Sequence, residues 1–139
     1  MWSVESSRDV AATPTSIWRY YADPTTWPRW AHNTSSARFD GPIEAGVEGR
    51  VKPRDGPEQT VRIVEAQPER LLVGQIRLPG AVMGFRYEIE LTHDGARIRH
   101  QVSMDGLLSG VYRLIVRKRN ERQLPEETAR LAKLAEATD

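Results

Sequence analysis

The amino-acid sequence predicts an α+β fold, in which a curved antiparallel sheet of about seven strands wraps around a long C-terminal helix, with two short helices after the first strand. Apolar and polar residues alternate in 2–10 and again in 83–91 and 96–104, which is typical of strands, and turn residues divide 34–105 into strand-length segments. After Gly106 the apolar residues recur at helical spacing instead. The 139 residues are enough to bury one hydrophobic core, so we expect a single domain over 1–139.

The N-terminal segment predicts one strand and then two short helices. Residues 2–10 alternate between two faces, which indicates a strand. Thr13 is a good N-cap and Pro14 is favoured at the first helical position, so a helix should start there. Pro24 should end this helix, because the residue before a proline is disfavoured in the α region. The sequence PTTWPRW then predicts a second short helical turn that carries two tryptophans.

Turn residues divide the segment 34–105 into six predicted strands. Gly- and Pro-containing turns separate the earlier strands, and Asp94-Gly95 is a strong signal for a short hairpin. Because the connections have hairpin length, the sheet should be antiparallel. In the two strands around Asp94-Gly95, one apolar face is predicted to point inward, formed by Met83, Phe85, Tyr87, Ile89 and Leu91 and by Ala96, Ile98, His100, Val102 and Met104.

The strand pattern also bears on the direction of three polar residues, Gln75, Arg77 and Arg38. In the run 70–78, Gln75 and Arg77 share the less apolar face, so we expect both to point outward. The pattern around Arg38 leaves both directions open.

The C-terminal segment predicts the long helix, interrupted once. Its apolar residues at helical spacing are Leu107, Leu108, Val111, Tyr112, Leu114 and Ile115. Pro125 should bend or break the helix, because proline removes a helical hydrogen bond and clashes with the preceding turn. Glu126 and Glu127 suit the N-terminus of a fresh helix after it.

Composition excludes several classes of function. The net charge of +1 gives no long-range attraction to nucleic acid. There is no cysteine, which excludes disulfides and thiol catalysis and fits a reducing compartment. The first ten residues carry charges and no apolar run follows, so a secretory signal is not expected, and no run reaches the roughly 20 residues that span a bilayer. We therefore expect a soluble cytoplasmic protein, with homodimerisation left open.

No motif for cofactor or metal chemistry is present in the sequence. Nucleotide-binding, nucleophile-elbow and HExxH patterns are all missing. The three histidines, His32, His93 and His100, show no metal-ligand spacing. We expect neither a cofactor nor a metal site.

Four segments together resemble the helix-grip (SRPBCC) superfamily, which includes START domains, Bet v 1-like proteins and polyketide cyclase/dehydrase-like proteins. AATPTSIWRYYADPTTWPRW resembles its first strand end and two short helices, and VEAQPERLLVGQIRLPG resembles its central strands. GARIRHQVSMDG is similar to its last strand, and LPEETARLAKLAEA to its C-terminal helix tail. The resemblance covers nearly the whole chain and implies the fold predicted above, but it leaves activity open, because this fold hosts carriers, receptors and cyclases.

A strongly curved sheet around a single helix closes poorly at its mouth, which favours an interior cavity. We expect this cavity to bind a small hydrophobic molecule that is polyketide-, lipid- or aromatic-like. The candidate ligand-binding residues are Trp27, Trp30, Met83, Phe85, Tyr87, His100, Val102 and Met104. For the tryptophans, which form a cluster with Trp18, plain core packing is the alternative interpretation.

His100 lies on a predicted apolar face and therefore needs a polar partner. The hairpin phase places Tyr87 opposite His100 or one diagonal step away, so the two could hydrogen-bond each other or hold a ligand carbonyl. The resemblance implies a second function, a polyketide aromatase/cyclase-type enzyme. In such an enzyme His100 would be the general acid/base and Tyr87 a donor to a developing enolate oxygen. The alternative is a buried histidine that is simply satisfied within the core.

A basic cluster lies on the predicted C-terminal helix and consists of Arg117, Lys118, Arg119 and Arg122. It could contact acidic lipid headgroups or a partner protein, or it could be a solvated helix face.

Overall fold

The computed structural model describes residues 1–31 and 33–138. All seven strands form one antiparallel sheet in the order β1-β7-β6-β5-β4-β3-β2. The strands are β1 Trp2–Val10, β2 Thr34–Phe39, β3 Glu48–Pro53, β4 Gln59–Gln67, β5 Leu71–Leu78, β6 Ala81–Thr92 and β7 Gly95–Asp105. The helices are α1 Pro14–Ala22, the 3-10 turn Pro24–Thr26, α2 Trp27–Trp30, α3 Ser109–Tyr112, the π-helical segment Arg113–Arg117 and α4 Lys118–Thr138. The predicted α+β helix-grip architecture is confirmed.

The short helices begin and end where local chemistry requires it. The Thr13 side chain accepts a hydrogen bond from the Ser16 backbone N–H at 3.2 Å, with Pro14 at the first helical position. Asp23 leaves the helix in an extended conformation, since it precedes Pro24. Its carboxylate then caps the 3-10 turn by accepting from the Thr25 N–H at 3.0 Å.

The sheet register sets which side chains face the interior. Strands β6 and β7 form the predicted short hairpin, with Thr92 paired to Gly95. Further along the same hairpin Tyr87 lies directly opposite His100, as the period-two phase predicts. Gln75 and Arg77 are exposed on β5, which confirms their outward direction, and Arg38 is exposed on β2.

The inward face predicted for the hairpin is wrong at one position. Leu91 is 74% exposed, although Ile89 on the same face of β6 is buried. Leu91 lies opposite Ala96, near the tip of the hairpin, and the alternation of side chains continues there past the end of the covered core.

The predicted break at Pro125 is also wrong, because α4 runs uninterrupted from Lys118 to Thr138. Proline costs the helix a hydrogen bond, but tertiary packing on both sides of it holds the helical geometry. Leu124 and Leu131 are 3% and 0% exposed. The Pro125 carbonyl also accepts from Thr128 Oγ1 at 3.0 Å. The irregular part of the C-terminal helix lies earlier, in the π-helical segment.

The first turns of the C-terminal segment are more exposed than their apolar pattern predicts. Leu107 is 99% exposed, and the segment Leu107–Ile115 points most of its large apolar residues outward. Tyr112 and Val116 pack against the smaller apolar cluster around Trp2 and Met104. The later part, α4, packs its apolar stripe against the sheet and α1. Within the described residues, no helix combines the length and apolar character needed to cross a membrane.

Candidate functional site

A cavity of about 400 Å³ lies between the inner face of the sheet, α2 and the C-terminal helix. This volume falls within the usual range for small-molecule sites. The helical wall consists of Tyr112, Val116, Arg119, Asn120, Gln123, Leu124 and Glu127. The sheet wall consists mainly of Val51, Val61, Ile76, Leu78, Met83, Phe85, Tyr87 and Val102. Trp27, Trp30 and Ala31 close one end, while Asn33, Thr34, Pro53, Asp55, Gly56, Pro57 and Gln59 line the rest.

Four aromatic rings form a continuous apolar corner of this cavity. Trp27 packs edge-on against Trp30 and Phe85, with centroid distances of 6.1 and 6.5 Å. Phe85 in turn lies 5.1 Å from Tyr87. Edge-to-face and tilted contacts at these distances are favourable for aromatic pairs. A flat or apolar ligand would therefore meet a preassembled aromatic surface.

Next to this corner lies a buried polar network, which we call the relay, formed by Tyr21, His100 and Glu127. His100 Nε2 lies 2.7 Å from Tyr21 Oη, and His100 Nδ1 lies 2.6 Å from Glu127 Oε2. His100 and Tyr21 are 0% exposed, whereas the Glu127 side chain is 11% exposed and reaches the cavity. Tyr87 stacks on His100 with ring centroids 4.0 Å apart and planes 21° apart.

Burial and the neighbouring carboxylate determine how the protons of the relay are placed. Burial and then the charge of Glu127 raise the pKa of Tyr21 well above its usual value, so its hydroxyl stays protonated and can donate. The same two causes, followed by the charge of Tyr21, raise the pKa of Tyr87. If Tyr21 donates to Nε2, then Nδ1 carries the histidine proton and donates to Glu127. We assign this tautomer because it satisfies both ring nitrogens of His100.

The structure divides the predicted ligand-binding residues into two groups. Six of them line the cavity: Trp27, Trp30, Met83, Phe85, Tyr87 and Val102. His100 and Met104 do not belong to the lining, and both are 0% exposed. His100 lies behind Tyr87 and Glu127, and Met104 packs in a second apolar cluster with Trp2 and Leu124.

The predicted contact between Tyr87 and His100 exists, but its chemistry differs. The two rings stack, and both nitrogens of His100 are engaged by Tyr21 and Glu127. Both ring nitrogens of His100 therefore already have protein partners, and neither partner is Tyr87. Its position corresponds to the satisfied buried histidine that was the alternative interpretation.

Glu127 and Tyr21 are the polar residues that the sequence prediction missed. Leu124, Thr128, Leu131 and Ala135 recur at helical spacing with Glu127 and are all buried. Extending this stripe through Pro125 would have placed Glu127 on the inward face. Tyr21 carries no comparable signal, because its partner His100 lies 79 positions away in sequence.

An ion pair spans the rim of the cavity. Arg119 Nη1 on α4 donates to Asp55 Oδ2 in the β3–β4 turn at 3.4 Å. A hydrogen bond from Asn33 and the charge of Arg119 lower the pKa of Asp55. Both side chains are substantially exposed, so we expect this pair to contribute little to stability.

The histidines do not converge on a metal site in the described part of the chain. His93 lies at the tip of the β6–β7 hairpin and His100 in the relay, while His32 lies outside the described residues. Among the residues described, no group of three or more His, Asp or Glu is placed to hold a metal ion.

The curved sheet, the long C-terminal helix and the cavity between them define a helix-grip protein. The family model described as polyketide cyclase / dehydrase and lipid transport matches residues 1–136, so the chain belongs to this family. A search of functionally curated proteins finds no match.

Solved structures confirm the fold at low sequence identity. A protein from Mesorhizobium loti is 17% identical with a TM-score of 0.80, and the match covers 99% of each chain. A protein from Nitrosomonas europaea is 17% identical with a TM-score of 0.79, covering 98% of this chain and 95% of that one. Norcoclaurine synthase from Thalictrum flavum, in complex with dopamine and hydroxybenzaldehyde, is 14% identical with a TM-score of 0.73, covering 99% of this chain and 88% of that one.

Proposed function

We propose that this protein binds a small hydrophobic molecule, polyketide-, lipid- or aromatic-like, in the cavity between the sheet and the C-terminal helix. The observation that carries the proposal is the cavity of about 400 Å³ with its aromatic corner of Trp27, Trp30, Phe85 and Tyr87. Because the apolar surface of the cavity is preformed, a ligand can bind to it with little rearrangement of the protein.

Native mass spectrometry of protein purified from its own host tests this proposal. We expect a co-purified small molecule that a denaturing spectrum releases. Trp27→Ala and Phe85→Ala should each weaken binding of that molecule, because large aromatic contacts are lost. Leu91→Ala is the matched control, since Leu91 is exposed and does not line the cavity. If the aromatic variants bind as tightly as Leu91→Ala does, the ligand does not occupy this cavity.

A polyketide aromatase/cyclase-type enzyme is the second candidate, and the relay is the observation that favours it. A carboxylate that reaches an apolar cavity and is backed by a buried histidine can exchange a proton with a bound substrate. In that case Glu127 rather than His100 would contact the substrate, Tyr87 would donate to a developing enolate oxygen, and His100 and Tyr21 would position Glu127.

The two candidates differ in what Glu127→Gln changes. An enzyme should lose turnover by roughly a hundredfold or more with little change in substrate affinity, because acid–base help acts in the transition state. A carrier has no turnover to lose, and only its affinity should respond. Single-turnover measurements on the co-purified molecule, or on its poly-β-keto precursor, distinguish these outcomes.

A further inference from the structure

The cavity has a polar end whose protein hydrogen bonds are incomplete. Glu127 Oε2 accepts from His100, but Oε1 has no hydrogen-bond partner among the described residues. Tyr87 Oη likewise has none within the described chain, and both residues line the cavity. Two polar side chains whose hydrogen bonding within the described chain is incomplete therefore line the same cavity.

The charge at this end is not neutralised by a permanent cation. Within the described residues, the partner of the Glu127 carboxylate is His100, whose ring carries no permanent charge. Arg119 also lines the cavity, but it is paired with Asp55 at the rim. Asn120 and Gln123, the other polar residues on this helical wall, carry no charge. The wall of the cavity therefore contains both a carboxylate acceptor and a tyrosine hydroxyl.

From this arrangement we infer that Glu127 and Tyr87 select ligands whose apolar body ends in a hydrogen-bond donor, an ammonium or a hydroxyl group, and reject ligands that end in a carboxylate. This inference rests on the proposed function and specifies the ligand class for the same cavity. A donor completes the hydrogen bonding of Oε1, and a charged donor also pairs with Glu127. A ligand carboxylate would place two like charges together away from water.

Four probes with one apolar body test the inference: 2-naphthylmethylamine, 2-naphthalenemethanol, 2-methylnaphthalene and 2-naphthoic acid. Their affinities can be measured by quenching of tryptophan fluorescence, with calorimetry as confirmation. A hydrogen bond to a charged group corresponds to about tenfold to a hundredfold in affinity. We expect the amine to bind at least tenfold more tightly than the methyl compound, the alcohol to lie between them, and the acid to bind most weakly.

The variant Glu127→Gln assigns any preference to this carboxylate. Glutamine keeps an acceptor for His100 but removes the charge, so the amine and the acid should then bind within about threefold of the methyl compound. Glu126→Gln is the matched control, since it removes the same charge from an exposed position one residue away. Tyr87→Phe should reduce the preference for the alcohol.

The outcomes separate the inference from the proposed function. Equal binding of all four probes, or tightest binding of the acid, overturns the inference and leaves hydrophobic ligand binding intact. A preference that survives in Glu127→Gln also overturns it. If none of the four probes binds, the proposed function itself is contradicted for aromatic ligands. Should Glu127→Gln fail to fold, the ranking of the four probes on the unaltered protein still decides.

A second, independent observation concerns the outer surface of the turn 107–108 and of the first part of the C-terminal helix, which we call the apolar patch. It consists of the exposed side chains of Leu107, Leu108, Val111, Leu114 and Ile115, which are 99%, 43%, 64%, 75% and 72% exposed. Together they account for most of the large apolar residues that the described chain exposes to solvent. An exposed apolar patch of this kind indicates a surface that binds another protein or a membrane.

The charges beside the apolar patch identify the kind of partner. Segment 107–122 holds five basic residues and one acidic residue, a balance of +4 in a chain whose total is +1. Arg113, Lys118 and Arg122 are exposed. Arg117 is paired with Glu121 at 3.2 Å and Arg119 with Asp55. A helix with exposed apolar side chains and a basic surround fits the interface of an anionic membrane.

We propose that the apolar patch docks on an anionic lipid surface. The inner face of the same helix segment contributes Tyr112 and Val116 to the cavity wall. Docking would therefore bring the cavity to the membrane, where an apolar ligand could enter without crossing water.

Vesicle co-sedimentation tests this second proposal. We expect the protein to bind vesicles of phosphatidylcholine mixed with phosphatidylserine, to bind phosphatidylcholine alone at least tenfold more weakly, and to be released by salt. The double variant Leu114→Ser and Ile115→Ser should weaken vesicle binding at least tenfold, as should Lys118→Glu with Arg122→Glu. Leu91→Ser is the control, because it removes an exposed leucine outside the patch.

Analytical ultracentrifugation of the same variants identifies the competing occupant. If the unaltered protein forms a dimer that the serine variant dissociates, and vesicles are not bound, the patch is a self-association surface and the proposal is wrong. Vesicle binding that ignores both lipid charge and the patch variants also contradicts it.

Discussion

His100→Phe should destabilise the fold by about 3–5 kcal/mol. Phenylalanine keeps a ring that can stack on Tyr87, but it removes both hydrogen bonds of His100, at 2.7 and 2.6 Å. Tyr21 is then left with an unpaired buried hydroxyl, which costs about 1–3 kcal/mol. Glu127 loses its hydrogen bond from His100 as well, and a hydrogen bond to a charged group contributes about 1.5–3 kcal/mol.

Urea unfolding followed by tryptophan fluorescence measures this loss. Tyr21→Phe removes only one of the two bonds and should cost less, about 1–3 kcal/mol. Because the two residues act in one network, the double variant should cost little more than His100→Phe alone. A loss below about 1 kcal/mol for His100→Phe, or simple additivity of the two single variants, would refute the reasoning that the relay is a coupled hydrogen-bonded unit.

Three further predictions follow from the same structure. Pro125→Ala should raise the urea midpoint, because alanine restores a helical N–H donor and is about 3 kcal/mol more favourable than proline in a helix interior. The greater conformational entropy of the unfolded chain offsets part of this gain, and a lower midpoint contradicts the prediction. Burial raises the pKa values of Tyr21 and Tyr87 above the value of about 10 that a tyrosine has in the unfolded chain, so the free energy of unfolding should be highest below about pH 10 and should fall as the pH rises above it. Ultraviolet absorbance should show both tyrosinates appearing only on unfolding, and ionisation before unfolding contradicts this. Gly74→Ala should lower the affinity of a cavity ligand, because its new Cβ overlaps the ring of Phe85 and displaces it; unchanged affinity means that the ring has room elsewhere.

The sequence predicts the fold well because the fold depends on local periodicity. The two-residue repeat of strands and the 3.6-residue repeat of helices are visible in single segments, and turn residues mark their ends. Burial is less local. Leu91 continues the alternation of β6 yet is exposed, and Leu107 begins a helical pattern that faces outward, because neither position has another element above it. Periodicity identifies an apolar face but not whether anything covers it.

Strand register was predictable only where a short turn fixed it. For this reason the sequence did not reveal the hydrogen-bond partners of His100. The pairing of Tyr87 with His100 follows from counting residues back from a tight hairpin. The partners of His100 come from α1 and α4, 79 and 27 positions away, and no local rule fixes those distances. Pro125 added a second obstacle, since treating it as a helix break assigned Glu127 to a helix N-terminus instead of a buried stripe.

Burying the polar groups of the relay costs free energy, and we expect that stability alone does not require the relay. Breaking one member of a buried polar network is costly, whereas replacing every member with apolar groups of similar shape is often neutral. The triple variant Tyr21→Phe, His100→Phe and Glu127→Leu should therefore unfold within about 1 kcal/mol of the unaltered protein, although His100→Phe alone is strongly destabilised. The same triple variant should lose the preference of the cavity for an ammonium ligand, because no carboxylate remains to pair with it. Urea unfolding and the naphthyl probes measure the two effects on one protein. If the triple variant is as unstable as His100→Phe, the relay is chiefly a structural element, and the polar groups at this end of the cavity need no ligand to explain them.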